Sequence, residues 1–487
     1  MSQAKNGFTE LLQMSLWAKK AGIDDTLKGV LFRKPALRMR LSPALPETGV
    51  KEESRGTFSA AYKGMYLIML LVFIRPHEVM PEIFGALPLV KIAAVGTILF
   101  YVVSRYNAGE KLIVWSLELK MMLIMGVMGM LLTPIAASPG DSIDVLKDTF
   151  VTLLLLFVLM TSLIDTRYRL RSFLFAMVIS GFLYAVSAMK TFLTRGNDEV
   201  ERIKGWGTQL QNPNDLACVL DLLLPFAVFF VFTGKGKVRL LALMTVIATV
   251  FSVMFTFSRS GFLGLLLALF VIVWKVGRRY RLRIVIGTAV LSAVLVVAMP
   301  GAYRTRLMTI FNPQTDQTNS AQERQQLMRL AADLAVRRSI IGLGIGNFHI
   351  YSFHEKVAHN SFLEITAGLG VIGLIAYLVF ILGPFVVLRR IERETLRDGP
   401  RPDRELNILS ICFQASLAAY IIYGFFGSVQ YYPYLYFIVA YVVAFRRIFS
   451  MEKVEAVGGI VGMPALNSLI PVPKGALWKQ QRLRGIN

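Results

Sequence analysis

Twelve apolar runs, each close to the length of a bilayer crossing, limit what this chain can fold into. A spanning helix needs about 20 apolar residues. Runs of this kind lie near 61–74, 86–104, 114–136, 149–164, 171–193, 215–233, 238–257, 260–275, 284–300, 360–388, 406–427 and 431–446. Backbone amides in hydrocarbon find no water, so such runs fold as helices. The expected fold class is all-α: a polytopic membrane protein with about 12 transmembrane helices and a large loop that contains an amphipathic helix.

The formal charge of +22 would suggest nucleic acid in a soluble protein. Here the positive charge falls mostly in loops between apolar runs, and no nucleic-acid recognition fold is legible, so no nucleic-acid partner is expected. Loops 165–171, 234–239, 275–283 and 389–404 carry 17 Lys and Arg between them, while alternate loops such as 138–148 are acidic or sparse. Positive loops stay inside. That rule places the N- and C-termini in the cytoplasm and puts 194–213, 258–260 and 301–359 outside. The expected layout is a cytoplasmic basic leader (1–60), helices 1–9 (61–300), a large outer loop (301–359), helices 10–12 (360–450) and a cytoplasmic tail (451–487). Within the leader, 7–23 reads as an amphipathic surface helix or a poorly ordered tail, and no cleavable signal peptide is legible. Cys218 and Cys412 lie in apolar runs, so neither a disulfide framework nor a metal site is expected.

The stretch 320–373 stands apart. It opens as a polar, Arg-rich helix, with Ser320 as cap and Glu323 as capping-box partner. It passes through Gly342, Gly344 and Gly346, where a helix does not easily continue. The glycine run lacks the Lys-Ser/Thr of a phosphate loop and reads as a turn that returns the chain to the membrane. His359-Asn360 then stands at the mouth of an apolar helix. An imidazole there suits a general base; a lone His is also often structural. Glu364, five residues on, lies near the same end and can line a pocket or bond to backbone.

Two further segments share the outer face. Asn212-Pro213-Asn214-Asp215 opens a span, with Asn214 or Asp215 as expected N-cap. Free amides at that helix start, with Arg202 nearby, suit an anion; an ordinary capped turn is the other reading. Arg259, in the tight Ser258-Arg259-Ser260-Gly261 link, either snorkels to the interface or is held toward a cavity. Asp221 is a possible intramembrane acid. Arg75-Pro76-His77-Glu78 is a polar cluster to which spacing assigns no role.

These pieces occur in one order: Arg202 ahead of GWGTQLQNPNDLA, FSRSG around Arg259, Glu323-Arg324, IIGLGIGNF and AHNSFLEITAGLGVIG. Over roughly 60–450 the chain resembles the O-antigen ligase and polymerase-type (Wzy-like) membrane glycosyltransferases. RPHEVMPEIFG resembles a branch of O-glycosylation ligases. The resemblance implies a multi-pass protein of the bacterial inner membrane that moves a glycan from an undecaprenyl-pyrophosphate carrier to an acceptor hydroxyl on lipid A-core or protein Ser/Thr. It implies an inverting reaction at the periplasmic face that needs no metal or other cofactor. By the same resemblance His359 is the base and Arg259, Arg202 and Arg324 hold the donor pyrophosphate; Asn360, Glu364 and Asn212 are expected to orient the pocket. Expected partners are membrane lipids, the lipid-linked glycan donor, and a glycan, lipid or protein acceptor. The alternatives are a polymerase using the same donor, a solute transporter dependent on groups such as Asp221, and a membrane scaffold.

Overall fold

The computed structural model describes residues 59–75, 82, 89–194, 202–205, 210–277, 286, 320–397 and 399–461. All belong to one compact unit, Arg55–Asn487. The expected leader helix, the span near 284–300 apart from residue 286, and residues 76–78 of the Arg75 cluster lie outside the described residues, as does the tail beyond 461. Every regular element among the described residues is helical, and the protein is an all-α polytopic membrane protein.

The helices are α1 (Ser59–Ile74), α2 (Leu89–Ala108), α3 (Leu117–Leu132), α4 (Pro139–Asp144), α5 (Val151–Leu163), α6 (Arg167–Thr194), α7 (Pro213–Thr233), α8 (Gly236–Phe255) and α9 (Arg259–Val276). After them come α10 (Ser320–Arg337), α11 (Phe348–Tyr351), α12 (Ser361–Glu394), α13 (Arg404–Phe426) and α14 (Pro433–Val461). Among the described residues nine are long and apolar enough to cross a membrane, and Ala60–Ile74 is a shorter apolar helix. The run expected at 149–164 is met by the shorter α5.

Polar caps start the helices where the apolar runs begin. Ser116, Asn212, Ser258, Asn360 and Asp403 each accept from an amide in the first turn of the helix that follows. The cap of α7 is therefore Asn212 rather than Asn214 or Asp215. Pro213 follows at the first helical position, where a missing amide costs nothing. The acidic stretch expected as a short loop at 138–148 is helical: Ser138 caps α4, Pro139 opens it, and a wider-wound turn, Val145–Phe150, carries it into α5.

The bundle is centred on α7, α13 and α14, each 78% buried over its apolar window, against 17% for the peripheral α2. A helix apolar all round belongs inside. Gly261 and Gly264 let α9 close on both neighbours, since a Cβ at either would press on Ala217 of α7 or Tyr423 of α13. One end of the bundle carries ion pairs: Arg167 with Asp403 at 2.7 Å, Arg171 with Glu405 at 2.5 Å, and Lys275 with Glu392 at 2.7 Å. The start of α1 and the end of α14 lie at this end. The starts of α7, α9, α12 and α14 lie at the other.

One expected span is not continuous. At Gly370, φ +70 and ψ −172 break α12. The carbonyls freed there are met by the glycine run: Leu343 N–H donates to Ala367 O at 2.8 Å and Gly344 N–H to Gly368 O at 3.0 Å, while Val371 N–H donates to Ser339 O at 2.7 Å. Non-helical backbone survives inside a bundle only when it is paired in this way. Gly342 is required by close approach, because a Cβ there would collide with Gly368 O. The glycine run is thus more than a return turn: it is strand-like pairing against a broken helix.

Candidate functional site

The site end is built from three short connections and one loop helix. The first connection, 202–205, lies along the end of α8. Ile203 N–H donates to Phe255 O at 3.3 Å, and the Arg202 guanidinium forks between Thr256 O (Nε, 2.8 Å) and Asn214 Oδ1 (Nη2, 2.8 Å). A planar fork suits two acceptors held apart by a rigid turn. Asn212 is exposed, and its Oδ1 accepts from Asn214 N–H at 3.0 Å.

The second connection is the tight link 256–258 between α8 and α9. Phe257 adopts φ 51, the left-handed region that side chains seldom occupy. Ser258 Oγ accepts from Gly261 N–H at 3.1 Å and lies 3.2 Å from Ser260 Oγ. Arg259 is the first residue of α9, half-buried, three residues past the carbonyl that Arg202 holds.

The third connection is 358–361, zipped to the link between α13 and α14. His359 is left-handed (φ 54) and half-buried. Its N–H donates to Ser428 Oγ at 3.1 Å, and Ser428 Oγ–H donates to the Glu364 carboxylate. Glu364 also accepts from Ala358 N–H at 3.2 Å and from Gln430 Nε2 at 2.8 Å. Asn360 caps α12 through Leu363 N–H at 3.0 Å and donates to Phe425 O at 3.2 Å. Ser361 Oγ donates to Gly427 O at 2.8 Å. Glu364 therefore bonds backbone and fixes the His359 turn rather than facing an open pocket.

The loop helix α10 brings Arg324, half-buried, into charge range of both Asp215 and His359. The Glu323 carboxylate pairs with Lys356, which ties the start of α10 to the segment before His359. The far end of the loop is pinned by buried Asn347. Its Oδ1 accepts from Ser138 N–H at 2.7 Å and its Nδ2 donates to Ser142 Oγ at 2.8 Å. Burial pushes the His359 imidazole down to about 4, and the Arg324 charge adds to that effect. His359 is neutral at neutral pH, the form that accepts a proton.

Ser428, Gln430, Thr256 and Lys356 were not legible as site residues, because each acts on a partner distant in sequence. Asp221 is fully buried deeper along α7. It accepts from Tyr423 Oη at 3.2 Å, and its other oxygen has no partner among the described residues. Cys218 and Cys412 are buried and free. Among the described residues no group of three or more His, Cys, Asp or Glu is placed to hold a metal.

Residues 241–378 match the family model described as O-antigen ligase. Over that stretch the chain is similar to O-antigen ligases. The matched stretch contains Arg259, Arg324, His359, Asn360, Glu364 and the glycine run; Arg202 and Asn212 lie before it. No curated protein matches the chain.

Proposed function

We propose that the protein is a glycosyltransferase of the bacterial inner membrane. It moves a glycan from an undecaprenyl-pyrophosphate carrier to an acceptor hydroxyl, on lipid A-core or protein Ser/Thr, at the periplasmic face. The observation that carries this reading is the placement of a neutral, half-buried His359 within charge range of Arg324, at the end of the bundle that also holds Arg202 and Arg259.

The chemistry then divides by residue. His359 takes the proton of the acceptor hydroxyl as its oxygen bonds to the anomeric carbon. The bond from that carbon to the diphosphate oxygen breaks, and the electron pair leaves with the lipid diphosphate. Arg259, Arg202 and Arg324 supply positive charge where negative charge develops, the largest single contribution in many active sites. A positioned base adds about 10²–10⁴-fold. Attack opposite the leaving group inverts the anomeric centre. On this reading arginines, rather than a metal, hold the diphosphate. Asn360 and Glu364 act through the turn that presents His359, and Asn212 acts through the start of α7.

The test is transfer in vitro. Purified protein in lipid is given a lipid-pyrophosphate glycan with three acceptors: lipid A-core, a Ser/Thr-rich protein and the glycan itself. Wild type transfers with or without chelator, while His359→Ala and Arg259→Ala stay folded and fail. Equal transfer by all three proteins would remove these residues from the mechanism. Product on the glycan alone would make the protein a polymerase.

A further inference from the structure

The end of the bundle opposite the candidate site carries a second feature. The last two turns of α12 border an open-sided recess lined, among the described residues, by Val386, Arg389, Arg390, Arg393 and Glu394. We propose that this recess binds the phosphate headgroup of an anionic phospholipid in the leaflet at that end.

Spacing puts the residues on one face. Leu382, Val386, Arg389 with Arg390, and Arg393 follow one another at helical intervals of three and four. All three arginines are exposed. Glu394 is already matched by two cations, Arg390 Nε at 3.0 Å and Lys453 Nζ at 3.0 Å. Among the described residues no carboxylate pairs with Arg389 or Arg393. These two stand four apart on the helix, a spacing at which like charges repel. An anion between them relieves that repulsion, and a guanidinium matches phosphate oxygens two at a time.

The apolar half of the face decides between a lipid and a free anion. Leu382 is 46% exposed and Val386 73% exposed, one and two turns before the arginines on a helix that crosses the membrane. In a bilayer that strip lies along acyl chains. A molecule with a phosphate for the arginines and a chain for Leu382 and Val386 fits both halves; inorganic phosphate fits one.

The experiment is native mass spectrometry of the purified full chain, titrated with phosphatidylglycerol or with phosphatidylcholine of the same chains, and with inorganic phosphate as competitor. Wild type retains phosphatidylglycerol over phosphatidylcholine, and phosphate does not displace it. The Arg389→Gln/Arg393→Gln pair binds roughly 30-fold more weakly, and Arg389→Lys/Arg393→Lys restores most of the binding. Equal retention of the two lipids, or an unchanged Gln pair, overturns the proposal. Displacement by phosphate replaces the lipid with a free-anion site. If the Gln pair loses helicity by circular dichroism, Arg389→Gln alone, expected about 5-fold weaker, decides.

Discussion

Glu364 offers the sharpest separation of geometry from charge. Its carboxylate accepts three hydrogen bonds, from Ala358 N–H, Ser428 Oγ and Gln430 Nε2, and Ser428 Oγ in turn accepts from His359 N–H. Alanine leaves three donors without an acceptor in a buried place, at about 1–3 kcal/mol each before water enters. The His359 turn is left-handed and does not hold itself. An imbalance of that size releases it, and a displacement of about 1 Å costs about 10²-fold in rate. Glutamine behaves differently. Gln430 Oε1 is buried without a partner, so the Gln430 amide can flip and accept from the new amide, while the new carbonyl oxygen serves Ala358 and Ser428. All three bonds survive in neutral form, each weaker by about 1 kcal/mol. In the transfer assay Glu364→Gln is expected within about ten-fold of wild type and Glu364→Ala about 10²-fold down, chiefly in kcat. Trypsin, which cuts after Lys356, reports the loop without any activity and is expected to cut the alanine variant faster. A fully active Glu364→Ala would refute the tie to His359. A glutamine variant as inactive as alanine would show that the charge, not the geometry, matters.

Burial holds His359 neutral, so its folded pKa of about 4 lies below the ordinary value near 6.5. Nothing is lost above pH 6.5, and stability falls as pH drops from about 6.5 toward 4, by about 3 kcal/mol in all. Melting of wild type against His359→Gln across that window checks this, the variant being the flatter. The same group predicts that kcat/KM holds down to pH near 4, while the limb in kcat lies higher once an anionic donor offsets Arg324. Gly370→Ala forces a side chain into a glycine-only conformation and sets a Cβ 2.6 Å from Ile340 O. It is expected to cost about 1–3 kcal/mol or more, read as a lower melting temperature. Arg202→Lys keeps the charge but reaches only one of Thr256 O and Asn214 Oδ1. Its transfer rate is expected to lie nearer that of Arg202→Ala than wild type.

The helices were legible because a bilayer imposes a length. The caps were less so: Asn360 and Ser258 each close the helix that follows by a bond within three residues, and neither was read as a cap from the sequence. What was not legible depends on distant partners. AHNSFLEITAGLGVIG reads as one continuous helix, and only amides some 25 residues earlier, at Leu343 and Gly344, make the break at Gly370 affordable in hydrocarbon. The pairing of Glu323 with Lys356, 33 residues on, is announced by no local pattern. Asn214 and Asp215 are as good caps as Asn212 by composition; Pro213, which must be the first helical residue, selects Asn212.

The broken helix also explains how the loop can carry chemistry. Helix α10 is tied at its start to the segment before α12, by Glu323–Lys356, and after its end to α12 itself, by Ser339, Leu343 and Gly344. Arg324 and His359 therefore share one frame. Arg202 and Arg259 share another, since Arg202 is bonded to the α8–α9 turn and to the head of α7. On the proposed mechanism, the base belongs to the first frame and most of the leaving-group charge to the second. Arg324 is the exception: it rides with the base yet acts on Asp215 at the head of α7. A diphosphate between the frames would meet positive charge from both, so binding it would draw His359 toward the carbon it must serve. The Glu323–Lys356 pair and the backbone pairing around Gly370 together hold Arg324 in one frame with His359.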